Sequence, residues 1–212
     1  MTAQSVGEII KNGIVFDLKN WSSKMPPSDD LARNVENLFQ LLNERQIDYL
    51  LVGGIALLSY IDGRNTQDID FIMSQSALYN LPELEVIEEN RDFARANFNS
   101  LQVDILLTNN NLCKTVQIEC SSEQKFGNLT IPTSTVEGLV LLKLYALPSL
   151  YRQGKFDKVS IYETDILLLL LRHSVDIDKV LRKLAKHVLD TDLEEINQIV
   201  LDIQNRMQRF QR

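Results

Sequence analysis

Apolar positions recur along this chain with two periods, and the change from one to the other falls near residue 133. From Asp30 to Arg45 the apolar residues Leu31, Val35, Leu38, Leu41 and Leu42 return at helical spacing, which predicts an amphipathic helix. Before it, Ser5 to Lys11 reads as a short helix. Trp21 to Asp30, with Pro26 and Pro27, reads as a loop whose Ser28 or Asp29 caps the helix that follows. Tyr49 to Val52 is an unbroken apolar run between Asp48 and Gly53, the mark of a short buried strand. Ile55 to Ile61 predicts a short helix stopped by Asp62-Gly63. Asp68 to Met73 alternates with period two: Asp68, Asp70 and Ile72 share one face, Ile69, Phe71 and Met73 the other. Further strands are expected at Glu85 to Glu88, Phe93 to Phe98 and Leu101 to Leu107, and short ones at Val116 to Ile118 and Leu129 to Ile131.

From Ser134 onward the period becomes helical. Ser134-x-x-Glu137 is a capping-box pattern ahead of the apolar run Leu139 to Leu147, and Pro148 is expected to end or kink that helix. Helices follow at Tyr162 to His173 and Asp178 to Leu189. Thr191-x-x-Glu194 opens a last one running to about Phe210. The expected fold is α+β. A mixed, twisted β-sheet flanked by helices fills residues 1–133, including an N-terminal extension. A helical domain packed on that core fills residues 134–212.

Composition narrows the function without choosing it. A chain of 212 residues, 44% hydrophobic and 24% charged, is an ordinary globular protein. Its net charge of −7 argues against non-specific binding along nucleic acid, which requires clustered Lys and Arg. The two cysteines, Cys113 and Cys120, have no zinc-site spacing and read as semi-buried thiols. His173 and His187 read as ordinary helix residues. The first residues carry no signal-peptide pattern, and the longest apolar run, Ile166 to Leu171, is too short to cross a bilayer. A cytoplasmic protein with no membrane partner is the resulting expectation.

The chemistry concentrates between Asp48 and Met73. Gly53 and Gly54 stand where a buried strand passes into a helix, a junction whose free N–H groups suit a phosphate and which a plain turn explains equally well. Asp68 and Asp70 put two carboxylates on one face of an apolar strand, where they repel and lose hydration unless something compensates. A divalent cation with oxygen ligands does so. Asp176-x-Asp178 and Asp190-x-Asp192 share the spacing but fall at expected helix starts, where aspartate caps. The apolar strand, and not the spacing, sets Asp68 and Asp70 apart. Asp104 stands alone in Val103-Asp104-Ile105-Leu106-Leu107. It either joins the first two acids or pairs with an arginine or lies at an exposed edge.

The order of strand, Gly53-Gly54, helix, Asp68-Ile69-Asp70 and a later Asp104 resembles the nucleotidyltransferase superfamily with the DNA polymerase beta-like fold. Arg64-Asn65-Thr66-Gln67-Asp68-Ile69-Asp70 is similar to its small bacterial members: AbiEii-type toxins, minimal nucleotidyltransferases and antibiotic adenylyltransferases. Val136 to Leu147, Arg152, Lys155, Lys158 and Asp165-Ile166-Leu167-Leu168 resemble the helical part of that group. Gly54 replaces the commoner serine of the motif.

The resemblance implies transfer of a nucleoside monophosphate from a nucleoside triphosphate to an acceptor hydroxyl or phosphate, with pyrophosphate leaving. It implies Mg²⁺ or Mn²⁺ held by Asp68, Asp70 and Asp104, all three catalytic, and nucleotide binding by Gly53, Gly54, Arg64, Thr66 and Lys143. Arg64 reads equally as a solvated loop residue. Lys143 reads more simply as a stem along the core edge with its ammonium in water. The acceptor is a small molecule, a transfer-RNA end or a protein, and a cognate antitoxin is a further possible partner. The alternative is a non-catalytic nucleotide- or partner-binding module, a sensor or toxin–antitoxin component, on the same fold.

Overall fold

The computed structural model describes residues 28–61, 66, 68–126 and 128–210, with side chains from residue 33. The expected helix at Ser5 to Lys11, most of the loop from Trp21, the Asp62-Gly63 turn and Arg64 lie outside the described residues, as do the side chains of Ser28 and Asp29. The chain divides into two compact units, with the boundary between Ser134 and Thr135.

The first unit is built on a seven-stranded mixed sheet. Its elements in chain order are α1 (Ser28–Glu44), β1 (Tyr49–Val52), α2 (Gly53–Leu58), β2 (Asp68–Met73), α3 (Gln75–Tyr79), β3 (Glu85–Glu89), β4 (Phe93–Phe98), β5 (Leu101–Leu107), α4 (Asn111–Glu119), β6 (Ser121–Phe126) and β7 (Leu129–Ser134). The strand order is β3-β4-β5-β2-β1-β7-β6. β2 runs parallel to β5 and β1 parallel to β7; the other neighbours are antiparallel.

The two faces of the central strands differ as their alternation dictates. Phe71 and Met73 of β2, Val103, Ile105 and Leu107 of β5, and Ala94 and Ala96 of β4 are buried. Phe39 of α1 stacks with Tyr49 and meets Phe71 and Phe126 at ring-centroid distances of 6.1 and 5.0 Å, so α1 covers this face. On the opposite face Asp68, Asp70, Arg95, Gln102 and Asp104 are half-buried. β4 and β5 form a hairpin closed by Asn99-Ser100, with Asn99 in the left-handed region at φ 54°. Asn tolerates that conformation better than most residues.

The second unit contains α5 (Val136–Arg152), α6 (Phe156–Arg172), α7 (Ile177–Leu184) and α8 (Asp190–Phe210). The whole is α+β, as the periodicities predict.

Several local expectations are corrected. Val116 to Ile118 is not a strand but the end of α4, whose cap is Asn110, accepting from the N–H groups of Leu112 and Cys113. Ser121–Phe126 is an unforeseen strand, and α3 an unforeseen helix capped by Ser74. The cap of α5 is Thr135, accepting from the Gly138 N–H, and not Ser134. α5 runs through Pro148 to Arg152, because Leu144, Leu147 and Pro148 continue one buried stripe whose packing outweighs the missing N–H. α7 stops at Leu184, so His187 lies in a turn, and His173 lies just beyond α6. Both cysteines are buried.

Candidate metal and nucleotide site

The site is assembled by strand register. In the parallel β2–β5 ladder Asp70 lies directly opposite Asp104, and Asp68 opposite Gln102. Side chains two residues apart on one strand share a face, so the three aspartates converge. One carboxylate oxygen from each of Asp68, Asp70 and Asp104 lies within 4.8 Å of the other two. The control pairs behave as helix starts: Asp176 caps α7 by accepting from the Lys179 N–H, and Asp190 and Asp192 lie in the first turn of α8.

Both glycines are required by this geometry. β1 ends at Val52, opposite Asp70, and Gly53 follows with φ +65°, a conformation side chains disfavour. A Cβ on Gly53 would stand 1.8 Å from Asp70 Oδ2, and one on Gly54 would stand 2.4 Å from Thr66 Oγ1. α2 has no side-chain cap from Val52; its second residue, Gly54, donates its N–H to Asp70 Oδ2 at 3.3 Å instead. The N–H expected to face a phosphate is thus already directed at a carboxylate. Thr66 Oγ1 donates to Asp68 Oδ1 at 2.9 Å and fixes that side chain.

Asp104 takes both roles that the sequence left open. It sits in the acidic cluster, and it also accepts a two-pronged contact from Arg95, Nε to Oδ1 at 2.7 Å and an Nη to Oδ2 at 2.8 Å. Gln102 adds a longer contact to Oδ1 at 3.3 Å. The hydrogen bonds to Asp104 hold the Arg95 guanidinium above its ordinary range, helped by the charges of Asp104, Glu88 and Asp68. Arg95 was not a candidate from sequence, yet a signal existed. The Asn99-Ser100 turn sets Phe98 against Leu101, and counting back along both strands brings Arg95 opposite Asp104.

Lys143 is placed differently from the expectation of an ammonium in water. It is buried in the second unit, donates to Asp165 at 2.8 Å and stands 4.2 Å from the centre of the Tyr162 ring.

Comparison with solved structures finds similar chains, among them the following three. An antigenic nucleotidyltransferase-like protein from Paracoccidioides brasiliensis is 15% identical, covers 81% of this chain and 94% of its own, and has a TM-score of 0.49. ANT(2″)-Ia in complex with adenylyl-2″-tobramycin is 11% identical, with coverages of 77% and 95% and a TM-score of 0.45. The solution structure of the antibiotic-resistance factor ANT(2″)-Ia is 10% identical, with coverages of 88% and 98% and a TM-score of 0.45. No protein-family model and no curated protein matches the sequence. Among the described residues no helix is long and apolar enough to cross a membrane.

The donor set suits a hard divalent cation. At 4.8 Å two carboxylates repel by about 3 kcal/mol at an effective dielectric near 20; Arg95 offsets this at Asp104, and the repulsion between Asp68 and Asp70 favours a cation. All donors are oxygens, the ligands Mg²⁺ and Mn²⁺ prefer. The glycine junction lets the Asp70 and Thr66 side chains lie against the backbone, where a Cβ at Gly53 or Gly54 would displace them.

Proposed function

We propose that this chain is a metal-dependent nucleotidyltransferase that moves a nucleoside monophosphate from a nucleoside triphosphate to an acceptor hydroxyl or phosphate. The observation that carries the reading is the convergence of Asp68, Asp70 and Asp104 within 4.8 Å on one sheet face. Asp68 and Asp70 would hold Mg²⁺ or Mn²⁺, and Asp104 would complete the set. Bound metal supplies neutralisation of charge on the attacking and leaving oxygens.

The chain's own residues position the reaction. An acceptor oxygen bonds to the α-phosphorus as the bond to the β-phosphate oxygen breaks, and pyrophosphate leaves. Asp104 Oδ2 keeps a lone pair beyond the one Arg95 uses, available to the acceptor's proton. Thr66 holds Asp68 in place, and Gly53-Gly54 let Asp70 lie close against the β1–α2 junction; the triphosphate would be held there by Gly53 and Gly54 and by Arg64. Lys143 has no part in this reading, since its ammonium is engaged by Asp165. The narrower placing, beside AbiEii-type toxins and antibiotic adenylyltransferases with a cognate antitoxin as partner, rests on Arg64 to Asp70 and Gly53-Gly54.

The Arg95 fork favours a second reading, a nucleotide- or partner-binding module in which Asp104 serves structure. One experiment separates the two. Melting is measured with each of the four triphosphates, with and without Mg²⁺ or Mn²⁺, for wild type and Asp68→Ala. α-labelled triphosphate is then incubated with the protein and an extract fractionated into RNA, protein and small molecules. The transferase reading expects metal-dependent stabilisation lost in Asp68→Ala, and label in one fraction. Stabilisation without transfer supports the binding module. Identical melting under all conditions refutes the transferase and the nucleotide-binding module, and leaves a partner-binding module.

A further inference from the structure

We propose that Arg95 is the built-in counter-cation of the acidic site: it restrains Asp104 before metal arrives and weakens the metal's hold. The inference rests on the metal-site reading above and adds a residue to it.

The register fixes Arg95 between two acids. Its Cα lies opposite Asp104 across the β4–β5 ladder and opposite Glu88 across β3–β4. The guanidinium grips both oxygens of Asp104 and lies over the Phe93 ring, 5.5 Å from its centre, which holds the fork in plane. With 35% of the Arg95 side chain and 15% of the Asp104 side chain exposed, the pair is only partly screened by water. One of three crowded carboxylates is thus neutralised within the protein itself. Metal approaching Asp104 meets a carboxylate already shared and a positive charge beside it. Arg95 therefore raises the stability of the metal-free chain and lowers its affinity for divalent cation.

Substitution Arg95→Gln keeps a donor but removes the charge; Arg95→Lys keeps the charge and loses the fork. Mn²⁺ alone is titrated calorimetrically into wild type and both variants, and each is melted with and without Mn²⁺. Arg95→Gln is expected to melt below wild type without metal and to bind Mn²⁺ tighter by on the order of tenfold. The melting gap narrows at saturating Mn²⁺. Arg95→Lys is expected to bind within about twofold of wild type, because the charge remains. It supplies the answer should Arg95→Gln fail to fold: a change of about tenfold in Arg95→Lys overturns the proposal. Unchanged or weaker Mn²⁺ binding in Arg95→Gln overturns it too, leaving Arg95 as scaffolding for Asp104. Absence of Mn²⁺ binding in wild type instead removes the metal site itself, a result distinct from either.

Discussion

Gly53 is the position at which the fold and the acidic cluster can be separated by experiment. Substitution Gly53→Ala places a methyl 1.8 Å from Asp70 Oδ2, 2.3 Å from its Cγ and 2.6 Å from its Cβ. A rotamer change relieves the first two contacts but not the third, because Cβ is fixed to the backbone. Either the β1–α2 junction or β2 must move. Two penalties combine: about 1–2 kcal/mol for a non-glycine residue at φ +65°, and about 1–3 kcal/mol for overpacking. Gly53→Ala is therefore expected to lose about 2–5 kcal/mol in urea unfolding. It is also expected to lose Mn²⁺ binding while still folded, because Asp70 is displaced from its two partners. The decisive comparison repeats the substitution in an Asp70→Gly background, which removes all three contacted atoms. There the loss should fall to the backbone penalty of about 1–2 kcal/mol, a coupling of about 1–3 kcal/mol. Additivity within about 0.5 kcal/mol would show that close approach to Asp70 is not what requires glycine, and the reasoning would fail.

Two further outcomes are expected. Lys143→Met removes the lysine that pairs with the Asp165 carboxylate, 3% exposed, and should destabilise by about 3–5 kcal/mol in urea unfolding, with much of the loss recovered in Lys143→Met/Asp165→Leu. Burial pushes the Cys113 thiol up to about 12, so it should resist iodoacetamide at pH 8 in native buffer and react once denatured. A raised thiol favours the protonated form, so its contribution to stability is intact below the ordinary value of 9.0 and is lost as pH rises from there through about 12. Alkylation of native protein at the denatured rate contradicts that burial.

The strands β1 and β2 were legible because their apolar positions are buried. β1 is apolar at every position and β2 at all but Asp68 and Asp70, so the two acids stand out against their surroundings. α4 was misread for the complementary reason. Val116, Gln117 and Ile118 carry β-branched residues, yet Ile118 is 71% exposed, and the buried positions are Leu112, Cys113 and Val116, a helical set. The exposed isoleucine supplied a strand signal that tertiary packing did not use. β6 escaped notice because Ser121–Phe126 is a polar strand at the sheet's edge, carried by its pairing to β7 and by one buried end, Phe126. Edge strands rich in polar residues leave little periodic trace.

The site shows a further limit of reading positions one at a time. Asp104 posed a choice between joining the other two acids and pairing with an arginine, and the structure has it do both. Alternation along β5 turns Asp104 toward Asp68 and Asp70, while the hairpin turn at Asn99-Ser100 delivers Arg95 to the same carboxylate. The two constraints come from different neighbours of one strand, parallel β2 on one side and antiparallel β4 on the other. A shift of one residue in β4 would turn Arg95 to the buried face and Ala94 and Ala96 to the acidic one, and Asp104 would lose its guanidinium. The stability of the acidic face without metal thus depends in part on the cation that the adjacent register supplies, beside the Thr66 hydroxyl and the Gly54 N–H. The melting difference between wild type and Arg95→Gln without Mn²⁺ measures that dependence directly.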